Sequence, residues 1–313
     1  MMRYLFTIIL CSLLLTACSE KGTELTVENS RDSIGYITKI KDGKLYMDMI
    51  NIETNETKEM YFKNPLLKKS FFVDFSSIIN YHLLKGNNET MSLLFDSKKC
   101  KLYKIDSERV TILGETANYV YFSIIDDNYI NIHQLNKEND TIEFTDKKIK
   151  ITGKFIITKA SSNYDSDEIY CCYSMDGKSY SCKINKNDIS IRELLDYPTS
   201  NTFCLNESGD RFLSLYNASS SLYTFDPIII SLDNTQSKIT AIDNLEEGSI
   251  EFSFIYNNTF YMGYLKNLLY LYTWNQNDGL KELEQIENFS NISWTIYNEK
   301  LYIYFGENFI IIN

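Results

Sequence analysis

The chain has 313 residues, of which 44% are apolar and 14% aromatic, so it is long enough to bury one large core or two smaller ones. Its net charge is −11, with 42 acidic residues against 31 lysines and arginines. A surface of this sign repels the phosphates of nucleic acids and of anionic lipid headgroups, so we expect no nucleic-acid partner.

The first seventeen residues have the parts of an export signal. Arg3 gives a positive start, and residues 4–15 are then a nearly continuous apolar run. A membrane-spanning helix needs about 20 apolar residues, so this run is too short to remain as an anchor. We therefore predict that residues 1–17 form a signal peptide that is removed.

The segment Leu15-Thr16-Ala17-Cys18 follows the apolar run directly. It resembles the lipobox of bacterial lipoproteins, which implies cleavage after Ala17 and acylation of Cys18, with two or three lipid chains holding the protein at a membrane of the cell envelope. Ser19, where an aspartate would retain the protein at the inner membrane, implies the outer membrane, on its periplasmic or surface face, if the cell is Gram-negative. The alternative is an ordinary cleaved signal in which Cys18 has no role.

Two regions are predicted after the cleavage site. Residues 18–33 are polar and poor in large apolar side chains, which is typical of a flexible tether. Residues 34–313 are then expected to form a single domain.

Apolar side chains recur at every second position through most of that domain, for example in residues 250–256 and 268–274. Turn signals such as Asp42-Gly43 and Asp176-Gly177 separate these segments. The pattern predicts an all-β domain.

A strand that ends in an aspartate or asparagine before a polar turn recurs along the chain. The copies end at Asn51, Asp106, Asn136, Asn185, Asp226 and Asn275, and a truncated copy begins at Tyr302. The spacing of about 42 residues matches a four-stranded propeller blade. It predicts a β-propeller of about seven blades, within a range of six to eight, with a pair of β-sandwiches or a barrel as the alternative.

In each predicted blade the motif closes the third strand and an outer strand follows. The outer strands are predicted at residues 109–113, 141–145, 189–194, 238–242 and 280–286. Residues after 292 offer only about three strands, so a strand from residues 34–60 is expected to close the last blade. Residues 205–216 are similar to the hairpin of TolB-like propellers, which implies the same fold.

Cysteines that remain after residue 18 are odd in number, so they cannot all pair within the chain. They are Cys100, Cys171, Cys172, Cys182 and Cys204. A two-residue turn at Asp176-Gly177 places Cys171 opposite Cys182, at a separation that allows a disulfide. The alternative is a pair of buried free thiols. A zinc site is not expected, because there is no CxxC motif.

No catalytic residue, metal or cofactor is predicted from sequence motifs. The two histidines, His82 and His133, lie outside any recognisable nucleophile motif, and GxSxG, P-loop and GxGxxG motifs are absent from the sequence. The acidic segments 126–127 and 165–168 lack the spacing of a calcium loop and are expected to be solvated. The aromatic run 261–274 fits either a sugar-stacking surface or core between blades.

These features favour a membrane-anchored propeller that acts as a binding or scaffolding module for a protein or a glycan of the cell envelope. One alternative is a carbohydrate-active hydrolase that uses carboxylates at the mouth of the propeller channel. A second alternative is a factor that assists envelope assembly.

Overall fold

The computed structural model describes residues 23–312 with several gaps. The positions outside the description are 1–22, 31, 52, 55, 69, 75–79, 88, 153–154, 164–166, 196–203, 206–210, 217–225, 232–235, 239–248, 257–258, 266, 276, 288–291, 298–299, 306–308 and 313. Within the described residues, no helix has the length and hydropathy that a membrane span requires.

The described residues contain one short helix and 28 strands. The helix is α1 (Val27–Ser30), and the strands of the first three sheets are β1 (Thr23–Glu24), β2 (Ser33–Lys41), β3 (Lys44–Asn51), β4 (Thr57–Lys63), β5 (Phe71–Val73), β6 (Tyr81–Gly86), β7 (Ser92–Asp96), β8 (Lys101–Ile105), β9 (Val110–Glu115), β10 (Tyr119–Ile125), β11 (Tyr129–Asn136), β12 (Thr141–Glu143) and β13 (Lys148–Lys150). The later strands are β14 (Phe155–Asn163), β15 (Glu168–Met175), β16 (Lys178–Ile184), β17 (Ile189–Leu195), β18 (Cys204–Leu205), β19 (Arg211–Tyr216), β20 (Asp226–Ser231), β21 (Gln236–Lys238), β22 (Ser249–Tyr256), β23 (Thr259–Leu265), β24 (Leu269–Asn275), β25 (Gly279–Ile286), β26 (Ile292–Tyr297), β27 (Lys300–Phe305) and β28 (Phe309–Ile312).

The strands pair into successive sheets along the chain. Five sheets have four strands, in the orders β1-β4-β3-β2, β5-β6-β7-β8, β14-β15-β16-β17, β18-β19-β20-β21 and β22-β23-β24-β25. The third sheet, β9 to β12, gains β13 as a fifth strand, and the last sheet, β26 to β28, has three. The all-β prediction is confirmed. The prediction of about seven blades is corrected to five complete four-stranded blades among the described residues.

The sheets are arranged as in a propeller. Neighbouring sheets contact each other through one edge strand each, at β2 and β5, β9 and β14, β14 and β18, and β18 and β22, which places these edge strands on the inner side. Apolar side chains from facing sheets fill the spaces between them, with separate clusters between the first and second, second and third, third and fourth, and sixth and seventh sheets. The core is therefore a series of layers between blades.

Two hairpins form where Asp-Gly turns were predicted. Asp42 and Gly43 have φ values of 52° and 74°, and Asp176 and Gly177 have values of 51° and 78°. Consecutive positive φ angles are those of a type I′ turn, whose twist matches that of the flanking strands. Both hairpin predictions are confirmed.

The predicted repeat motif has a physical basis in the structure. At the end of the third strand of four sheets, or one residue beyond it, lies a side chain whose Oδ1 accepts hydrogen bonds from the backbone N–H groups two and three residues later, at 2.8–3.5 Å. These residues are Asp96, Asn136, Asn185 and Asn275. Each closes an Asx turn into the outer strand. We call this end of the sheets the Asx end.

Two predicted copies of the motif are placed wrongly, and a third, at Asn51, accepts the same two backbone hydrogen bonds, from Glu53 and Thr54, but in a different strand of its sheet. Asn51 ends the second strand of its sheet, Asp106 follows the fourth strand β8, and Asp226 begins β20. In the second sheet, Asp96 holds the position assigned to Asp106. As a result, the predicted outer strand 109–113 is the first strand of the third sheet, β9.

The N-terminal segment closes the first sheet and not the last. Strand β1 pairs in parallel with the outer edge of β4, while the predicted closing strand from 34–60 lies within the first sheet itself. Joining β1 to this edge satisfies backbone groups that would otherwise be open. The first and last sheets meet through side chains, with Ile34 and Tyr36 packed against Tyr302. The predicted tether 18–33 is thus folded from residue 23.

Candidate functional site

The predicted lipidation and cleavage residues, Cys18 and Ala17, lie outside the described residues. Cys171 and Cys182 face each other in the ladder between β15 and β16, as the turn predicted. Both are buried free cysteines, so the structure contains no disulfide at this pair. Burial raises the pKa of the Cys171 thiol well above its usual value and that of Cys182 to about 12. The two thiols are therefore protonated at neutral pH.

Aspartates of both predicted acidic segments have protein partners, while residues 165 and 166 lie outside the described residues. Asp126 accepts hydrogen bonds from the N–H groups of Asn128 and Tyr129 at 2.9 and 2.6 Å. Asp167 accepts from the side chain of Asn118 at 2.6 Å, which joins the third and fourth sheets. Among the described residues, no group of three or more His, Cys, Asp or Glu side chains is placed to hold a metal ion.

Both histidines are held by backbone groups. The Nδ1 atom of His133 accepts a hydrogen bond from the N–H of Thr145 at 3.1 Å, and burial lowers the pKa of this histidine. His82 hydrogen-bonds the backbone of Gly35, and burial lowers its pKa to about 4. Neutral rings fixed in this way are structural parts of their strands.

A buried polar cluster lies between the second and third sheets at the Asx end. The Nζ atom of Lys137 donates to the Glu115 carboxylate at 2.6 Å and to the Thr116 carbonyl at 2.5 Å. Its ammonium also lies 5.5 Å from the centre of the Tyr81 ring, whose hydroxyl hydrogen-bonds Asp96. The ion pair lies within the third sheet, and the lysine contacts the second sheet through the Tyr81 ring.

Burial raises the pKa of Glu115 and of Asp96, while Lys137 and the backbone N–H groups near Asp96 act in the opposite direction. Perturbed carboxylates can mark a catalytic site, but structural ion pairs perturb pKa values in the same way. Each of these carboxylates already has a fixed protein partner. The cluster holds the two blades together through the contact of Lys137 with Tyr81, and we call it a clamp.

A second clamp joins the third and fourth sheets. The Nζ atom of Lys147 donates to Gln134 Oε1 at 2.9 Å, to the Asn185 carbonyl at 2.7 Å and to the Lys186 carbonyl at 3.1 Å. The lysine is buried, and burial lowers its pKa to about 8. All three acceptors are neutral, so the ammonium is stabilised by hydrogen bonds without a carboxylate in contact.

Lys147 predicts a pH dependence of stability. Between pH 8 and 10.5 the unfolded chain binds more protons at this lysine than the folded chain does, so its contribution to the free energy of unfolding rises with pH. We expect wild type to gain about 1–2 kcal/mol relative to Lys147→Met between pH 7 and 9.5. Urea unfolding at several pH values measures this difference. Lys148→Met, at an exposed lysine, is expected to keep the wild-type slope, and parallel curves for wild type and Lys147→Met would contradict the assignment.

Strand β24 carries a row of aromatic side chains that are half-buried. Tyr270, Tyr272 and Trp274 alternate with the fully buried Leu269 and Leu271, which pack against the last sheet. The rings of Tyr270 and Tyr272 are stacked, with centres 6.2 Å apart and planes 22° from parallel. We call Tyr270, Tyr272 and Trp274 the aromatic stripe.

Polar side chains on β25 lie beside the stripe. Glu282 is opposite Tyr272 and accepts a hydrogen bond from its hydroxyl at 3.4 Å, while Gln285 is opposite Tyr270. Gln285 Nε2 donates to Glu282 Oε1 at 2.9 Å. Burial, and then the nearby Glu282 carboxylate, raise the pKa of Tyr272, so the phenol remains a neutral donor. Flat apolar rings beside a carboxylate and an amide are suited to a ligand with both CH faces and hydroxyl groups.

The predicted aromatic run is divided between the two faces of its sheet. Tyr261 is buried in the cluster shared with the last sheet, whereas the aromatic stripe is on the opposite face of its sheet and partly exposed. The two clamps were missed by the sequence analysis. Glu115 and Lys137 are 22 residues apart, and the pairing of β9 and β11 with β10 brings them together within the third sheet.

Comparisons with known proteins identify the fold. No family model and no curated protein sequence matches the chain. Hsv2 of Kluyveromyces lactis is 12% identical, with 88% of this chain and 87% of that chain covered and a TM-score of 0.51. A proposed 6-phosphogluconolactonase of Bacteroides uniformis is 14% identical, with 87% and 89% covered and a TM-score of 0.51.

The β-propeller domain of the Trilobed protease from Pyrococcus furiosus is similar to the same degree, at 9% identity, with 86% of this chain and 89% of that domain covered and a TM-score of 0.51. Identities this low carry no information about ligand or activity. The structural similarities to these three proteins, together with the layered sheets, show that this chain has a β-propeller fold.

Proposed function

We propose that this protein is a lipid-anchored β-propeller that binds a glycan of the cell envelope through the aromatic stripe. The stripe carries the proposal, because it is a row of ordered, partly exposed aromatic rings with hydrogen-bonding side chains next to it. The resemblance of residues 15–18 to a lipobox supports the anchor. Binding without chemistry is favoured because the buried carboxylates of the clamp already have fixed partners.

A glycan array tests this function directly. The detergent-solubilised chain is expected to bind a subset of envelope glycans. The double substitution Tyr272→Ala and Trp274→Ala is expected to raise the dissociation constant about tenfold or more, which is equivalent to a loss of about 1.4 kcal/mol or more of binding free energy. Tyr180→Ala is a matched control, because Tyr180 is a half-buried ring stacked on Tyr173 in another sheet, with centres 5.1 Å apart.

Two results would contradict the proposal. Glycan binding that is unchanged in the double variant would exclude the aromatic stripe as the site. Turnover of a bound glycan that is lost in Glu282→Gln would instead support the alternative of a carbohydrate-active hydrolase, because a carboxylate would then be required for chemistry.

A further inference from the structure

The segment that follows the proposed lipid anchor is fixed to the first sheet. Thr23 and Glu24 pair in parallel with Met60 and Tyr61 on the outer edge of β4. The N–H of the next residue, Leu25, donates to the Tyr61 carbonyl at 2.7 Å, and the Leu25 side chain is buried in the core between the first two sheets. The chain is therefore attached to the domain from residue 23 onwards.

Helix α1 attaches this segment to the second sheet as well. Thr26 and Asn29 exchange hydrogen bonds between side chain and backbone at 2.8 and 3.4 Å, which caps the single turn. Ser30 is completely buried, and its hydroxyl donates to the Lys98 carbonyl at 2.8 Å. Lys98 follows the Asx turn of β7, so the segment ends at the Asx end of the second sheet.

The short reach from the anchor limits how the domain can sit. Four residues separate Cys18 from Thr23, and the five steps between their Cα atoms span at most about 3.6 Å each in an extended chain, or about 18 Å in total. A compact domain of this size has a radius of gyration of about 19 Å. The tether is therefore shorter than the domain is wide, and the edge at β1 must stay next to the lipid.

Exposed apolar side chains lie at the same edge. Val27 is 57% exposed and Leu66 is 40% exposed. Val27 is two residues after Leu25, and Leu66 is one residue before Leu67. Leu25 and Leu67 are buried together in one cluster. We call the segments 23–30 and 64–67 the anchor rim. The net charge of −11 opposes attraction to anionic lipids, so apolar contact is the favourable interaction available to this edge.

We infer that the anchor rim rests on the bilayer surface, with Val27 and Leu66 in contact with lipid. This inference rests on the acylation of Cys18 in the proposed function. The membrane thereby fixes the orientation of the propeller.

Site-specific photocross-linking to lipid tests this orientation. Benzoylphenylalanine is placed at residue 27, 66, 191 or 283 of the acylated chain in phosphatidylcholine vesicles. Ile191 and Leu283 are matched controls, because they are 47% and 48% exposed on outer strands of other sheets. We expect lipid adducts at 27 and 66 to exceed those at 191 and 283 by about tenfold, since the short tether raises the local lipid concentration.

The outcomes separate the orientation from the anchor. Vesicle flotation measures whether the chain is membrane-bound. If the chain floats with the vesicles but cross-links equally at all four positions, the inference that the anchor rim contacts lipid is overturned and the lipid anchor is not. Chains that neither float nor carry acyl groups by intact mass would overturn the anchor itself, and the anchor rim with it.

Discussion

Replacing Lys137 with methionine is expected to lower the free energy of unfolding by about 3 kcal/mol at pH 7. The substitution removes the partner of Glu115 at 2.6 Å, while both side chains are about 15% exposed in the native structure. Glu115 must then either remain charged without a partner or take up a proton. Both alternatives cost free energy, because burial already raises the pKa of Glu115. Urea unfolding measures the loss.

Two further variants distinguish this cost from a general effect of losing a lysine. Lys178→Met removes an ion pair with Glu193 at 2.8 Å in which both side chains are over 40% exposed, so it is expected to cost less than about 1 kcal/mol. The double variant Lys137→Met and Glu115→Leu replaces the pair with apolar groups and is expected to recover most of the stability. A Lys137→Met cost equal to that of Lys178→Met would show that the clamp contributes little.

The Lys137→Met cost is also expected to depend on pH. Without its partner ammonium, Glu115 has a pKa raised further above its usual value, because burial and the Asp96 carboxylate then act against Lys98 only. Between the pKa of Glu115 in the unfolded chain and its higher pKa in the folded variant, the unfolded chain binds fewer protons at Glu115 than the folded variant does. The free energy of unfolding of the variant therefore falls as pH rises through this range and recovers below it. The difference from wild type should therefore shrink towards pH 5.

Local signals were sufficient to predict strands and tight turns. The Asp176-Gly177 turn determined the register that places Cys171 opposite Cys182, because a two-residue turn and a period of two leave one pairing. The same reasoning could not decide whether the thiols are oxidised. Opposed positions permit a disulfide, but they do not determine the redox state.

Blade boundaries were harder to predict, because similar sequences occur at the ends of different strands. Phe95-Asp96 and Ile105-Asp106 both end an apolar strand with an aspartate, yet only Asp96 accepts the two backbone hydrogen bonds of the Asx turn before an outer strand. That difference depends on the loop conformation after the aspartate. Choosing Asp106 shifted one predicted outer strand into the next sheet, at Val110–Glu115.

Contacts between blades could not be read from local pattern at all. Lys147 binds carbonyl groups almost 40 residues further along, and Asn118 binds Asp167 49 residues later. Each partner lies in a polar loop that is typical of solvent-exposed turns. The aromatic stripe was partly visible, because alternation separates Tyr270, Tyr272 and Trp274 from the leucines between them. Alternation alone does not determine which face of β24 packs against the last sheet, because that depends on how the propeller is assembled.

Replacing Cys18 with serine is expected to abolish acylation completely and to leave residues 1–17 attached. A serine hydroxyl lacks the thiol that accepts the diacylglycerol, and each lost methylene removes about 0.8 kcal/mol of membrane attachment. Growth with radiolabelled palmitate and intact-mass measurement of the N-terminus check both effects. The sequence offers a matched control in Cys11→Ser, which changes a cysteine within the same leader and is expected to keep full labelling.

The fate of the Cys18→Ser leader decides between the two interpretations of residues 1–18. An ordinary signal peptidase recognises the small residue Ala17 and has no need of the thiol, so it would cleave the variant and release a label-free chain. Cleavage that requires Cys18 belongs to a lipobox. If Cys18→Ser matures normally, the anchor rim also loses its basis, because nothing would then hold β1 within about 18 Å of a bilayer. If the precursor persists, the lipobox is supported, and with it the tether of at most about 18 Å on which the anchor rim depends.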